Sequence, residues 1–89
     1  MNKLEIIKLD DNEIDLRGIR NWPIWEKGVS RFPYIYLEDE HCLFLEGEVV
    51  IETEQDKVTL YPGDYVIFRS GLKCIWTILK PVKKHYHFE

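Results

Sequence analysis

No alanine occurs anywhere in this chain of 89 residues, whereas Val, Ile, Tyr, Phe, Trp and Thr crowd the stretch from residue 32 to residue 88. Alanine heads the helix scale, and the residues that replace it head the strand scale, so the chain is biased away from helices before any pattern is considered. Turn chemistry then divides the stretch into short strands: Pro33–Leu37, Cys42–Glu46, Glu48–Glu54, Lys57–Tyr61, Asp64–Arg69, Lys73–Lys80 and Val82–Phe88. Gly47 closes a tight connection between two glutamates, Glu54-Gln55-Asp56-Lys57 is a polar hairpin tip, and Pro62-Gly63 fits the central positions of a type II turn. Ser70-Gly71 repeats the turn signal. Closely spaced strands with almost no helix predict an all-β sandwich or barrel.

The first third of the chain reads differently. Lys3–Leu9 alternates as a leading strand, and Asp10-Asp11-Asn12-Glu13 offers N-cap residues for a helical turn that carries Ile14 and Leu16 and ends near Gly18. The cluster Asn21-Trp22-Pro23-Ile24-Trp25-Glu26 follows, with tryptophans suited to plugging one end of a barrel or to lining a pocket. The expected organisation is one domain, with residues 1–31 packing as a strand, turn and Trp-rich segment on a barrel core of residues 32–89. So short a chain buries only about 60% of its unfolded surface and therefore needs large side chains in its core. Three Trp, five Tyr and four Phe supply them.

Several classes of function are excluded by charge and hydropathy. The net charge is −4 with no basic cluster, which argues against nucleic acid and anionic lipid surfaces. No apolar run approaches the roughly 18–20 residues of a spanning helix, and the opening Met1-Asn2-Lys3-Leu4-Glu5 is not that of a signal peptide, so a soluble cytoplasmic protein with reduced thiols is expected.

One spacing is informative. Glu40 is followed after six residues by Gly47, then after fifteen by Gly63, after five by Arg69, after one by Gly71 and after two by Cys74. This skeleton resembles the two motifs of the cupin superfamily, His-x-His…Glu…Gly and Gly…Pro-x-Gly…His. The two His positions carry Tyr34 and Tyr36, the Pro position Arg69 and the final His position Cys74. The segments Trp22–Glu26, Glu40–Gly47, Gly71–Trp76 and Pro81–Tyr86 are similar to a small group of stand-alone cupins related to (S)-ureidoglycine aminohydrolase. The resemblance implies a conical jelly-roll barrel of two antiparallel sheets with an internal pocket.

It also implies a metal site, which the residues themselves disfavour. The superfamily's metalloenzymes use three histidines and a glutamate, of which only Glu40 is present here. A phenolate at neutral pH costs roughly 4 kcal/mol per tyrosine, and Glu40 with Cys74 falls short of the three protein ligands of a catalytic zinc. No metal and no other cofactor is therefore expected. If the resemblance holds, strand alternation points Tyr34, Tyr36, Glu40, Cys42, Phe44, Phe68, Cys74 and Trp76 inward, giving an aromatic pocket with convergent polar groups. The partner expected is a small organic molecule.

Within that pocket desolvation favours the neutral form of a lone Glu40, which is the candidate general acid or base of an alternative enzymatic reading. A third reading has Tyr34 and Tyr36 fill the cavity, bonded to Glu40, in a structural dimer. Cys74 reads as inert, since burial beside a carboxylate disfavours thiolate. His41 faces away from Glu40, and His85 with His87 shares a face expected to be solvated. Lys80, Lys83 and Lys84 read as charged protection of an edge strand, which a second copy could pair with to form a homodimer.

Overall fold

A computed structural model describes residues 3–89. In chain order its elements are strand β1 (Leu4–Lys8), helix α1 (Asp11–Leu16), a 3-10 turn (Ile19–Asn21), and strands β2 (Ile24–Lys27), β3 (Ser30–Ile35), β4 (Glu40–Glu52), β5 (Lys57–Leu60), β6 (Asp64–Phe68) and β7 (Lys73–Phe88). All strand pairings are antiparallel.

The fold is organised by one ribbon. Strands β4 and β7 pair along most of their length, and each serves two layers. The first half of β4 pairs with β6, which carries β1, and the second half pairs with β5. The first half of β7 pairs with β3 and the second with β2. Between the halves the ribbon slips register at Phe44–Val49, opposite Ile78–Lys84. Gly47 makes this bend possible: its φ is +106°, and a Cβ there would lie 2.6 Å from the Pro81 carbonyl oxygen and 2.7 Å from Val82 Cα. Only glycine fits so close an approach at positive φ. The bend folds the sheet onto itself, so that Cys42 and Phe44 from one half and Val49 and Ile51 from the other meet in one core with Val66, Phe68, Trp76 and Ile78.

The paired segments Cys42–Glu46 and Glu48–Glu54, and likewise Lys73–Lys80 and Val82–Phe88, are therefore single bulged strands rather than separate ones. Gly47 and Pro81 interrupt the regular ladder without ending it, because each half already has a partner on its other side. The expected strand Pro33–Leu37 begins earlier, at Ser30. The edge-strand reading is corrected for Val82–His85, which lies between β4 and β2; beyond it Tyr86–Phe88 pairs with β4.

Residues 3–31 contribute strands β1 and β2, the start of β3 and a cover. Asp10 caps α1 by accepting the Glu13 N–H at 2.8 Å, and Gly18 turns the chain at φ +67°. Ile14, Ile19 and Trp22 then close over Leu43, Tyr65 and Ile67, the residues of β4 and β6 that face away from the core. His85 is buried on this side, with Nδ1 2.9 Å from the Trp22 carbonyl oxygen, which corrects the expected solvated face for this residue, whereas His87 stays exposed while its ring stacks on Trp22. His41 also faces this side, between the Tyr65 hydroxyl and the Glu89 carboxylate.

Arg69, where the resemblance places proline, is a tie. Its guanidinium bonds Glu5 of β1 and Asp39, while Asp39 accepts the Ser70 N–H at 2.8 Å. These bonds lower the Asp39 pKa, the Ser70 amide being the largest cause.

Candidate functional site

A cavity of about 230 Å³ opens between β2 and β3 on one side and β4 and β7 on the other. Trp25, Phe32, Tyr34, Tyr86 and Phe88 form its walls, and Tyr36, Trp76, Glu40 and Lys84 its floor. Tyr34 and Phe88, each 41% exposed, stand at the mouth.

The floor is built around Lys84. Its side chain points inward from β7, and its Nζ lies 3.1 Å from Glu40 Oε2 and 3.3 Å from Cys42 Sγ. Indole rings flank the ammonium at 4.9 Å (Trp76) and 5.0 Å (Trp25), with Phe44 and Phe68 at 5.8 Å. Glu40 and Lys84 are only 5% and 4% exposed. A lone ion would not be tolerated at such depth, whereas a hydrogen-bonded pair wrapped in aromatic faces is. Burial opposes the charge on Lys84, but Cys42 and Glu40 outweigh it and hold the pKa above its ordinary value.

The remaining groups are held neutral. Burial is the first cause, with Glu40 next, that drives the Tyr36 phenol far above its ordinary pKa. Its oxygen accepts a hydrogen bond from Trp76 Nε1 at 3.2 Å, and its ring stacks on Phe68 with centroids 4.7 Å apart. Tyr36 is thus bonded to Trp76 rather than to Glu40. Burial likewise raises the Cys42 thiol despite the opposing pull of Lys84, and pushes Cys74 up to about 11.

Of the eight residues expected to point into a pocket, Tyr34, Tyr36, Glu40 and Trp76 line the cavity. Cys42, Phe44, Phe68 and Cys74 are buried in the core behind it. Trp25, weighed as a barrel plug or a pocket wall, lines the cavity, and Phe32, Lys84, Tyr86 and Phe88, which the sequence reading did not place there, complete the lining. The reading of Lys84 as surface edge protection is overturned by its burial and its bond to Glu40. A partial signal existed: Lys84 has the parity of Cys74, Trp76 and Val82, all inward, although Lys80, of the same parity, is exposed at the bend. The surface reading does hold for Lys80, whose ammonium sits 3.7 Å from Glu48 in solvent.

The donor set does not fit a divalent metal. The Glu40 carboxylate is already paired with an ammonium, which would repel a second cation, and the neighbouring phenol and thiol are held protonated. Among the described residues no three His, Cys, Asp or Glu side chains converge on one point.

A small antiparallel barrel, made by bending one long ribbon and carrying a cavity among its inward aromatic residues, is a cupin barrel. The chain belongs to the EutQ-like cupin domain family, whose model matches residues 15–86. It is similar to a DUF861-family protein of Thermotoga maritima of known crystal structure, at 40% identity and a TM-score of 0.93, covering 97% of this chain and 99% of that one. A DUF861-family protein of unknown function from Pseudomonas syringae shares 26% identity and a TM-score of 0.68, covering 74% of this chain but 29% of its own. The EutQ protein of Clostridium difficile has the same fold at 18% identity and a TM-score of 0.67, covering 73% of this chain and 52% of that one. No curated protein matches the sequence.

Proposed function

We propose that this protein binds a small organic metabolite in the barrel cavity without the help of a metal. The observation that carries the reading is the Glu40–Lys84 pair, 3.1 Å apart, at the floor of an aromatic-walled cavity of about 230 Å³. An apolar cavity with a few convergent polar groups is the usual form of a small-molecule site. The motif resemblance to cupins related to ureidoglycine aminohydrolase, and a cytoplasmic setting with Cys42 and Cys74 reduced, belong to this reading. Binding is favoured over acid–base catalysis by Glu40, because the pair already commits that carboxylate to Lys84. Filling by tyrosine is favoured less still, since Tyr34 stands at the mouth and leaves the cavity open.

The test is a melting-temperature screen against small polar metabolites at millimolar concentration. A ligand present at 100 times its Kd stabilises by about 2.7 kcal/mol, which is a readable shift for a domain of this size. The shift is expected to vanish in Tyr34→Ala and Phe88→Ala, which alter the mouth and leave the ion pair in place. A full screen without any shift would overturn the proposal.

A further inference from the structure

The cavity's charges say more about its occupant than its shape does. Its lining contains one carboxylate and one ammonium, Glu40 and Lys84, and they neutralise each other at 3.1 Å. The Tyr36 phenol, held far above its ordinary pKa by burial, adds no charge, and the Lys27 ammonium, 5.4 Å from the Phe32 ring, is on an exposed residue outside the lining. An anion entering this space would leave one net negative charge among aromatic rings, and a cation one net positive charge. An anion would meet the like charge of Glu40 and a cation that of Lys84, and an added buried charge without a counter-ion of its own is poorly tolerated.

The hydrogen-bonding capacity of the floor is not used up. Lys84 has three N–H donors and gives two of them to Glu40 Oε2 and Cys42 Sγ. A carboxylate has about four acceptor positions, and Lys84 occupies one of those on Glu40. The floor therefore has one further donor, on Lys84, beside unfilled acceptor positions on Glu40, without net charge. The walls are flat rings, Trp25, Phe32, Tyr34, Tyr86 and Phe88, around a space of about 230 Å³.

We infer that the occupant is a compact, planar, uncharged molecule with a hydrogen-bond donor and an acceptor on neighbouring atoms, of the amide or lactam class. Its N–H meets Glu40, its carbonyl oxygen meets Lys84, and its flat face lies against the aromatic walls. This inference rests on the binding reading above and names the ligand class for that same cavity.

Four probes of nearly equal size separate the possibilities: benzamide, toluene, benzoate and benzylammonium. Each is titrated into the wild-type protein and followed by the backbone amide shifts of the residues lining the cavity. Benzamide is expected to bind at least tenfold more tightly than each of the others. A merely apolar cavity would prefer toluene, an anion site benzoate and an aromatic cation cage benzylammonium. Any of those three binding as tightly as benzamide overturns the inference while leaving the binding reading in place. Absence of saturable shifts with all four overturns both.

Discussion

Replacing Lys84 by Met keeps the length of the side chain and removes its charge, leaving Glu40 buried beside aromatic rings without a counter-ion. Both members of the pair are about 5% exposed or less, so solvent screening does little to soften the change. Removing one partner of a buried pair typically destabilises by roughly 3–5 kcal/mol. For a domain of this length each kcal/mol moves Tm by about 4–8 °C, so a fall of about 15 °C or more is expected in a thermal melt. The double variant Glu40→Met with Lys84→Met should recover most of the loss, because well-packed apolar replacement of a buried pair is close to neutral or better. The pH dependence provides a second check. In the single variant the stranded carboxylate binds its proton more tightly folded than unfolded, so the variant should gain stability relative to wild type as pH falls toward the ordinary Glu value of about 4.3. A loss below about 1 kcal/mol, the range of exposed pairs, with no recovery in acid, would refute the reasoning.

Other perturbations test the frame around the cavity. Tyr36→Phe strands the Trp76 indole N–H and should lower stability by about 1–3 kcal/mol in urea unfolding, with a change in tryptophan fluorescence. Gly47→Ala forces a Cβ to within 2.6 Å of the Pro81 carbonyl oxygen at positive φ, so its urea midpoint should fall by an amount equivalent to about 3 kcal/mol or more. Cys74, Cys42, Tyr36 and Lys84 all have folded pKa values above their unfolded ones, with Cys74 up to about 11. Each then contributes stability that is complete below its unfolded pKa and lost as pH rises through the folded value, so the urea midpoint should decline from about pH 9 upward. At pH 8 both thiols should react with a thiol-specific reagent far more slowly in the native protein than after unfolding.

The strand-rich class, the N-cap at Asp10 and the turn at Pro62-Gly63 were legible because they depend on local preferences that tertiary packing reinforces. The continuity of β4 and β7 was not, because Gly47 and Pro81 are stop signals in isolation and become a bend only when flanking strands pair with both halves. Four cavity residues were legible from alternation once the cupin resemblance set which face is inward. Trp25 and Phe32 were obscured because β2 and β3 reach the cavity by pairing with opposite halves of β7, a long-range arrangement that no local pattern encodes. Lys84 was hidden by its neighbours: beside Lys80 and Lys83 a third lysine looks like surface, and strand parity sets it apart from Lys83 but not from Lys80, which shares its parity and is exposed at the bend.

The most direct test is a lysine side-chain 1H–15N NMR spectrum at neutral pH, recorded with and without benzamide. A protected Lys84 ammonium should give a resolved, slowly exchanging signal that is lost in Glu40→Gln and that moves saturably as benzamide is added. No protected ammonium signal, or one that stays fixed while backbone amides around the cavity respond, would contradict a ligand site built on the Glu40–Lys84 pair.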